Sequence, residues 1–290
     1  MNDLDIRFSD NDLSGLTWKR RLFFLLATFL ATLCIVFYIL YRYHNKENLV
    51  AFIPITFLLS IVILFFCLSK YNRAVMNTAY RIIAGNFGWD IYTGGPGIEI
   101  IYSLYQNCLI RFGLLHDRGH VQFNNNLQGQ IENYKFTLEN ISWIEPKRTK
   151  HGERDTTVAE YNLLTTDTPC PIDCNILIRK NKILKWGIKE LDRLKIENKE
   201  FEKYYDVYTD NSETALGILS GDFLYTLLNY NKINKRTIEL IITPKQIFFY
   251  QNTGMYCNIF RSPRTQCQKV LKNINTQLNI LSLLDLLKNQ

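Results

Sequence analysis

The sequence predicts a membrane-anchored α+β protein: an N-terminal two-helix transmembrane hairpin, then a cytoplasmic domain of mainly antiparallel sheet with several helices. Two observations predict the anchor, and one predicts the domain. Leu22 to Tyr41 and Leu49 to Ser69 are long runs without a charged residue. The rest of the chain alternates short β-branched and aromatic runs with turn residues. The expected organisation is residues 1–21 as a cytoplasmic segment, 22–69 as the hairpin (22–41 and 49–69), and 70–290 as the cytoplasmic domain.

A run of about 20 residues at about 1.5 Å per residue spans the roughly 30 Å of a bilayer's hydrocarbon core. The first run is longer than the apolar region of a signal peptide, lacks a small-residue cleavage site and is followed at once by the second. Buried core helices of this length carry a polar stripe, which neither run shows. Pro54 falls one turn into the second run, where a missing N–H costs least. The short connection Arg42 to Asn48 makes the pair antiparallel.

Lys19, Arg20 and Arg21 precede the first run, and Lys70, Arg73 and Arg81 follow the second. The connection carries Arg42 and Lys46, beside Glu47 and His44. The positive-inside rule then places both termini in the cytoplasm, although Asp10 and Asp12 lie near the start. Trp18, Tyr41, Tyr43 and Tyr71 are expected at the headgroup layer with Lys19, Arg20, Arg21, Lys70 and Arg73. The spans hold no ionisable side chain and only Thr28, Thr32, Thr56 and Ser60 as hydroxyl groups, which argues for an anchor rather than an ion pathway. Seven cysteines include Cys34 and Cys67 within the spans. The other five, Cys108, Cys170, Cys174, Cys257 and Cys267, form no secreted disulfide pattern and fit a reducing compartment.

From residue 70 onward, 28 Lys and Arg stand against 22 Asp and Glu, or +6 of the chain's +7. Such a balance suits a domain beside an anionic leaflet. It is too small and too evenly spread for nucleic acid. Tyr71 to Phe87 places Val75, Ala79, Ile82 and Ile83 at helical spacing and predicts a stalk ending near Gly85 and Gly88. Gly94 to Gly97 predicts a turn before the helical IEIIYSLYQNCLI. VQFNN, GQIEN, YKFTLENISWIE, AEYNLLTT and NILIRK predict strands. The leucines of Gly187 to Tyr205 predict a helix, and YYDVYTD a strand. Ser212 to Asn231 predicts one helix capped by Ser212. TIELIIT and QIFFY predict a hairpin around Pro244-Lys245. Val270, Ile274, Leu278, Leu281 and Leu284 predict a terminal amphipathic helix over Val270 to Lys288.

One stretch, FEKYYDVYTDNSETALGILSGDFLYTLLNYN (Phe201 to Asn231), resembles a bacterial family, the domain-of-unknown-function family numbered 3137. The resemblance lies in an F-E-x-x-F-x-V-Y strand, an acidic turn, a helix with a leucine pair, and later strands like IELIIT and QIFFY. Tyr205 stands where the family pattern has phenylalanine. Gly119 to Trp143 resembles a family hairpin with a Gly-x-I/V step and an acidic residue, here Glu139. What the resemblance implies is the fold and a bacterial cytoplasmic-membrane location; it brings no catalytic residues.

Candidate chemistry is sparse. His116 and His120 stand at the i, i+4 spacing of zinc hydrolases but enclose Gly119 and lack the H-E-x-x-H glutamate, so a solvated turn is expected. Cys170 and Cys174 are separated by three residues where zinc knuckles use two. The Gly94–Gly97 turn lacks the lysine and hydroxyl of a P-loop. Lys147, Arg148, Lys150 and Arg154 predict a solvated basic loop, with acidic headgroups as the alternative contact. No metal, cofactor or catalytic residue is expected. The expected partners are the bilayer and an unidentified protein. The leading reading is a membrane-tethered, non-catalytic interaction or scaffold protein; the alternative is a membrane-bound hydrolase, metal-assisted or not, using the His116–His120 region.

Overall fold

The computed structural model describes residues 6–44, 52–91, 96–150, 152–181, 188–234, 237–252 and 261–288. The connection from residue 45 to 51, Gly94-Gly95, Gly187 and Cys257 lie outside them. Two long apolar helices come first, followed by an antiparallel sheet with several shorter helices: an α+β fold. The described residues fall into two compact units, one within Asp5–Ile83 and Tyr256–Lys272, the other within Ala84–Met255 and Asn273–Gln290.

The helical unit is built on α1 (Asp10–His44) and α2 (Phe52–Phe87), with the start of α7 (Pro263–Leu278). Both α1 and α2 contain stretches long and apolar enough to cross a membrane. Ser9 caps α1: its hydroxyl accepts the Asp12 N–H at 3.2 Å, and Asp12 returns a carboxylate to the Ser9 N–H at 3.2 Å, so two of the helix's orphan donors are satisfied reciprocally. The stalk stripe is present, with Val75, Ala79 and Ile83 fully buried. α2 stops after Phe87 because Gly88 takes φ +66°, a left-handed turn that glycine adopts without strain.

The second unit carries one eight-stranded sheet, antiparallel at every seam, in the order β1-β2-β3-β8-β7-β4-β6-β5. Its strands are β1 (His120–Ile131), β2 (Tyr134–Thr149), β3 (Gly152–Asp167), β4 (Ile176–Lys180), β5 (Asp192–Leu194), β6 (Tyr205–Thr209), β7 (Glu239–Ile242) and β8 (Gln246–Asn252). Both faces are covered, so β2 buries consecutive residues rather than alternate ones. On one face Tyr105 and Leu109 of α3 (Pro96–Arg111), and Phe112 just after it, pack with Ile141, Trp143 and Phe248. The other face aligns Leu138, Leu164, Phe249 and Leu240 across four strands. Gln277 of α7 and Ile280 of the following 3-10 turn (Asn279–Ser282) lie there with Asn162, Leu164 and Phe249, around a gap of only about 10 Å³. α8 (Leu283–Lys288) ends the chain's described part.

Several expectations are corrected. VQFNN and GQIEN belong to one strand, because Leu127 and Asn126 between them are buried against β2. The expected helix over Gly187 to Tyr205 is β5 followed by the short α4 (Lys199–Tyr204), whose cap Asn198 accepts the Glu200 and Phe201 N–H groups. Ser212 to Asn231 is two helices, α5 (Ser212–Ile218) and α6 (Gly221–Asn234). Asn211 rather than Ser212 caps the first, accepting the Thr214 N–H at 3.2 Å. The terminal helix starts earlier than Val270 and is interrupted by the 3-10 turn. Lys147 to Arg154 is not a loop but the end of a two-stranded ribbon, in which Arg148 pairs with Glu153 and Gly152 turns at φ +113°.

Candidate functional site

His116 lies in the turn between α3 and β1, and His120 is the first residue of β1, so neither is on a helix. The Gly119 N–H closes the turn on the His116 carbonyl at 2.8 Å. His116 Nδ1 lies 2.7 Å from Asp117 Oδ1, both side chains exposed, and it accepts the Arg118 N–H at 3.2 Å. His120 is already in β1, opposite Ile144. The i, i+4 spacing therefore does not put the two rings on one helical face. The Cys170 thiol donates to the Leu287 carbonyl at 3.3 Å. Cys174 is buried, and burial first, then nearby Asp210, pushes its thiol pKa up, which disfavours the thiolate a metal or redox site needs. Among the described residues no group of three or more His, Cys, Asp or Glu is placed to hold a metal.

The residues expected at the headgroup layer lie in the helical unit. Trp18, Lys19 and Arg21 are exposed, as are Tyr43, Lys70 and Arg73. Arg20 is half-buried, its guanidinium 5.6 Å from the Phe24 ring, and the Lys70 ammonium stands 4.5 Å from the Phe66 ring. These long side chains lay apolar stems on the helix and keep the charge at its edge. Tyr41 belongs to α1, and its side chain lies outside the description. Tyr71 differs from the expectation: it is buried, and its hydroxyl accepts from Gln266 Nε2 at 3.0 Å.

The sheet unit holds a polar array that sequence reading missed. Arg179 of β4 sits directly opposite Asp206 of β6, and both are buried. A partly exposed Arg193 reaches Asp206 at 2.9 Å. The Arg179 guanidinium lies 6.0 Å from the Tyr208 ring. On the same face Tyr250 donates to Glu239, its register partner on β7. Trp143, Tyr161 and Tyr250 meet with ring centroids 4.7 to 6.3 Å apart. Burial pushes the Tyr161 hydroxyl to about 12, with Glu239 adding to the rise. Buried charges retained in this way need their partners, which here come from the neighbouring strand β6 and from Arg193 on β5. A period-two pattern with a charge at one inward position was the available signal.

At the surface of the same unit, Glu200 of α4 pairs with Lys232 of α6 at 2.6 Å. Tyr204 and Tyr225 lie close enough to act on the Lys232 charge, and both rings are exposed. Ile233, the next residue, is 78% exposed. Tyr204 of α4 and Tyr225 and Ile233 of α6 thus leave apolar side chains in solvent.

No curated protein matches the chain. Among solved structures it is similar to the crystal structure of the mycobacterial trehalose monomycolate transport factor A, TtfA, at 10% identity and a TM-score of 0.39, covering 73% of this chain and 95% of that one. Residues 154–286, from the outer arm of β3 to α8, match the family model of the protein of unknown function DUF3137.

Proposed function

We propose that the protein is a membrane-tethered, non-catalytic interaction protein that holds its α+β domain at the cytoplasmic face of a bacterial membrane. The observation that carries the reading is the uncovered apolar surface of α1 and α2. Leu25, Phe29, Phe65 and Phe66 are each more than half exposed, and burying a side chain of this size in an apolar medium is worth about 1.5–3 kcal/mol. A bilayer supplies that medium. The six flanking basic residues against two in the connection support cytoplasmic termini. The Tyr204, Tyr225 and Ile233 surface supports a protein partner. His116 bound within its own turn and the buried Cys174 thiol favour binding over hydrolysis.

The test has two readings. Full-length protein should stay with the membrane pellet after an alkaline carbonate wash, and cysteines introduced at either terminus should react with an impermeant reagent only after the cells are opened. Crosslinking in the native membrane should then capture one protein in near-equal amount, lost in Tyr225→Ser/Ile233→Ser with the melting temperature unchanged. Release by carbonate, or capture unaffected by the double substitution, contradicts the reading.

A further inference from the structure

The helical unit contains a groove of about 610 Å³ between α1 and α2. Its α2 wall runs over Cys67, Lys70, Ala74, Thr78 and Arg81, one face of the helix. Leu22, Phe23 and Leu26 of α1 and Cys67 of α2 make the apolar end, inside the uncharged runs. Lys19, Lys70 and Arg73 stand about one turn beyond them, with Arg81 farther along α2, and among the described residues no carboxylate lines the groove. None of these four cations is in an ion pair with a described carboxylate. Cys67 to Arg81 extends roughly 21 Å along the helix at 1.5 Å per residue. Apolar residues at bilayer depth and four unneutralised cations above it match an amphiphile with an anionic head.

The geometry points to a bound anionic phospholipid, with an acyl chain against Leu22, Phe23, Leu26 and Cys67 and its phosphate among Lys19, Lys70 and Arg73, while Arg81, roughly 16 Å beyond Lys70 along α2, adds to the positive field. Charge complementarity and the groove's continuity with the apolar spans select this occupant. The volume falls within the range of built ligand sites. The assignment rests on α1 and α2 lying in a bilayer, as proposed above. Bound there, a lipid would tie the two helices together and make the tether selective for anionic membrane.

Full-length protein, purified in detergent, is incubated with equal amounts of phosphatidylglycerol and phosphatidylcholine of matched chains and read by native mass spectrometry. The expected result is one retained phosphatidylglycerol and little phosphatidylcholine. Lys70→Glu/Arg73→Glu, both exposed positions, should lower retention about tenfold or more at about 1 kcal/mol per lost base. Leu26→Trp, which fills the apolar end without changing charge, should also lower it and decides the matter if the charge variant does not fold. Equal retention of phosphatidylcholine, undiminished retention in the folded variants, or displacement of the lipid by inorganic phosphate at equal concentration overturns the assignment. Release of the protein from membranes by carbonate overturns the membrane reading as well; retention in membranes without lipid selectivity overturns the groove alone.

Discussion

Gln266 of α7 donates its side-chain amide to the Tyr71 hydroxyl of α2 at 3.0 Å, across 195 residues of sequence and in a buried setting. A ring expected among headgroups is instead a latch within the helical unit. The same Gln266 Nε2 also reaches the Arg261 carbonyl at 3.0 Å, so the amide aligns the start of α7.

Tyr71→Phe removes one acceptor and leaves the ring packing intact. The expected cost is about 1 kcal/mol, the usual net worth of one such bond, seen as a lower melting temperature in detergent. Gln266→Leu removes both bonds and should cost more. Equal stability of Tyr71→Phe and the wild type would show that the latch contributes nothing.

Asp206→Ala leaves Arg179 buried without its facing carboxylate. It also breaks the Arg193–Asp206 ion pair; breaking a fully buried pair costs about 3–5 kcal/mol, and the partial exposure of Arg193 lowers this to about 2 kcal/mol or somewhat more. Asp206→Asn keeps the shape and should fall between. Urea unfolding followed by circular dichroism measures both.

Gly129 faces the Trp89 indole so closely that an added Cβ would lie 2.5 Å from the ring. Trp89 in turn stacks on Phe87 and meets Phe136 edge-on at 5.0 Å. Gly129→Ala should destabilise by about 1–3 kcal/mol as the ring is displaced, and Trp89→Leu in the same chain should recover part of the loss. A chain unaffected by Gly129→Ala would contradict the packing.

Buried tyrosines set the alkaline limit of the sheet unit. Burial raises Tyr105 and Tyr250 well above 10 and Tyr161 to about 12. A raised value means the folded state holds the proton more tightly, so this stabilisation is complete below about pH 10, the ordinary tyrosine value, and is lost as pH rises through the folded values. Stopped-flow ultraviolet absorbance should show a fast tyrosinate signal, then a second, from the buried rings, that appears only with unfolding. All tyrosines ionising in the fast phase would refute it.

The long apolar helices were legible because a twenty-residue uncharged run needs no register to be read. The β7–β8 hairpin was legible because dense β-branched and aromatic runs flank a proline turn. Several of the misread elements are too short to repeat their own pattern more than once, β5 with three residues, α4 with six and α5 with seven. Three residues of β5 cannot display alternation, and Leu191 and Leu194 happen to keep helical spacing. The α5–α6 break had a local signal in Ser220-Gly221-Asp222, since the Ser220 hydroxyl accepts the Phe223 N–H at 3.3 Å. Leucines on either side masked it. The groove was legible by halves: the basic and small positions of α2 fall on one readable face, but which face of α1 meets it depends on a helix pairing no single-helix periodicity contains. The Arg179–Asp206 pair needed strand register, which two charged residues 27 positions apart in sequence do not announce.

The β3–β8 seam, from Tyr161 against Asn252 to Asp167 against Gln246, has a consequence for how the chain matures. β1 to β3 form a local meander, and β8 reaches them only after the intervening strands and helices have been made. On a ribosome the first three strands must wait with the β3 edge that meets β8 unpaired. Closing so long a loop costs entropy before any contact repays it, which slows assembly. A waiting hydrophobic edge is also where neighbouring chains pair wrongly. Chains stalled before residue 246 should therefore be the form that engages chaperones and aggregates, and the rate of maturation should depend on the β7–β8 turn far more than on α1 and α2.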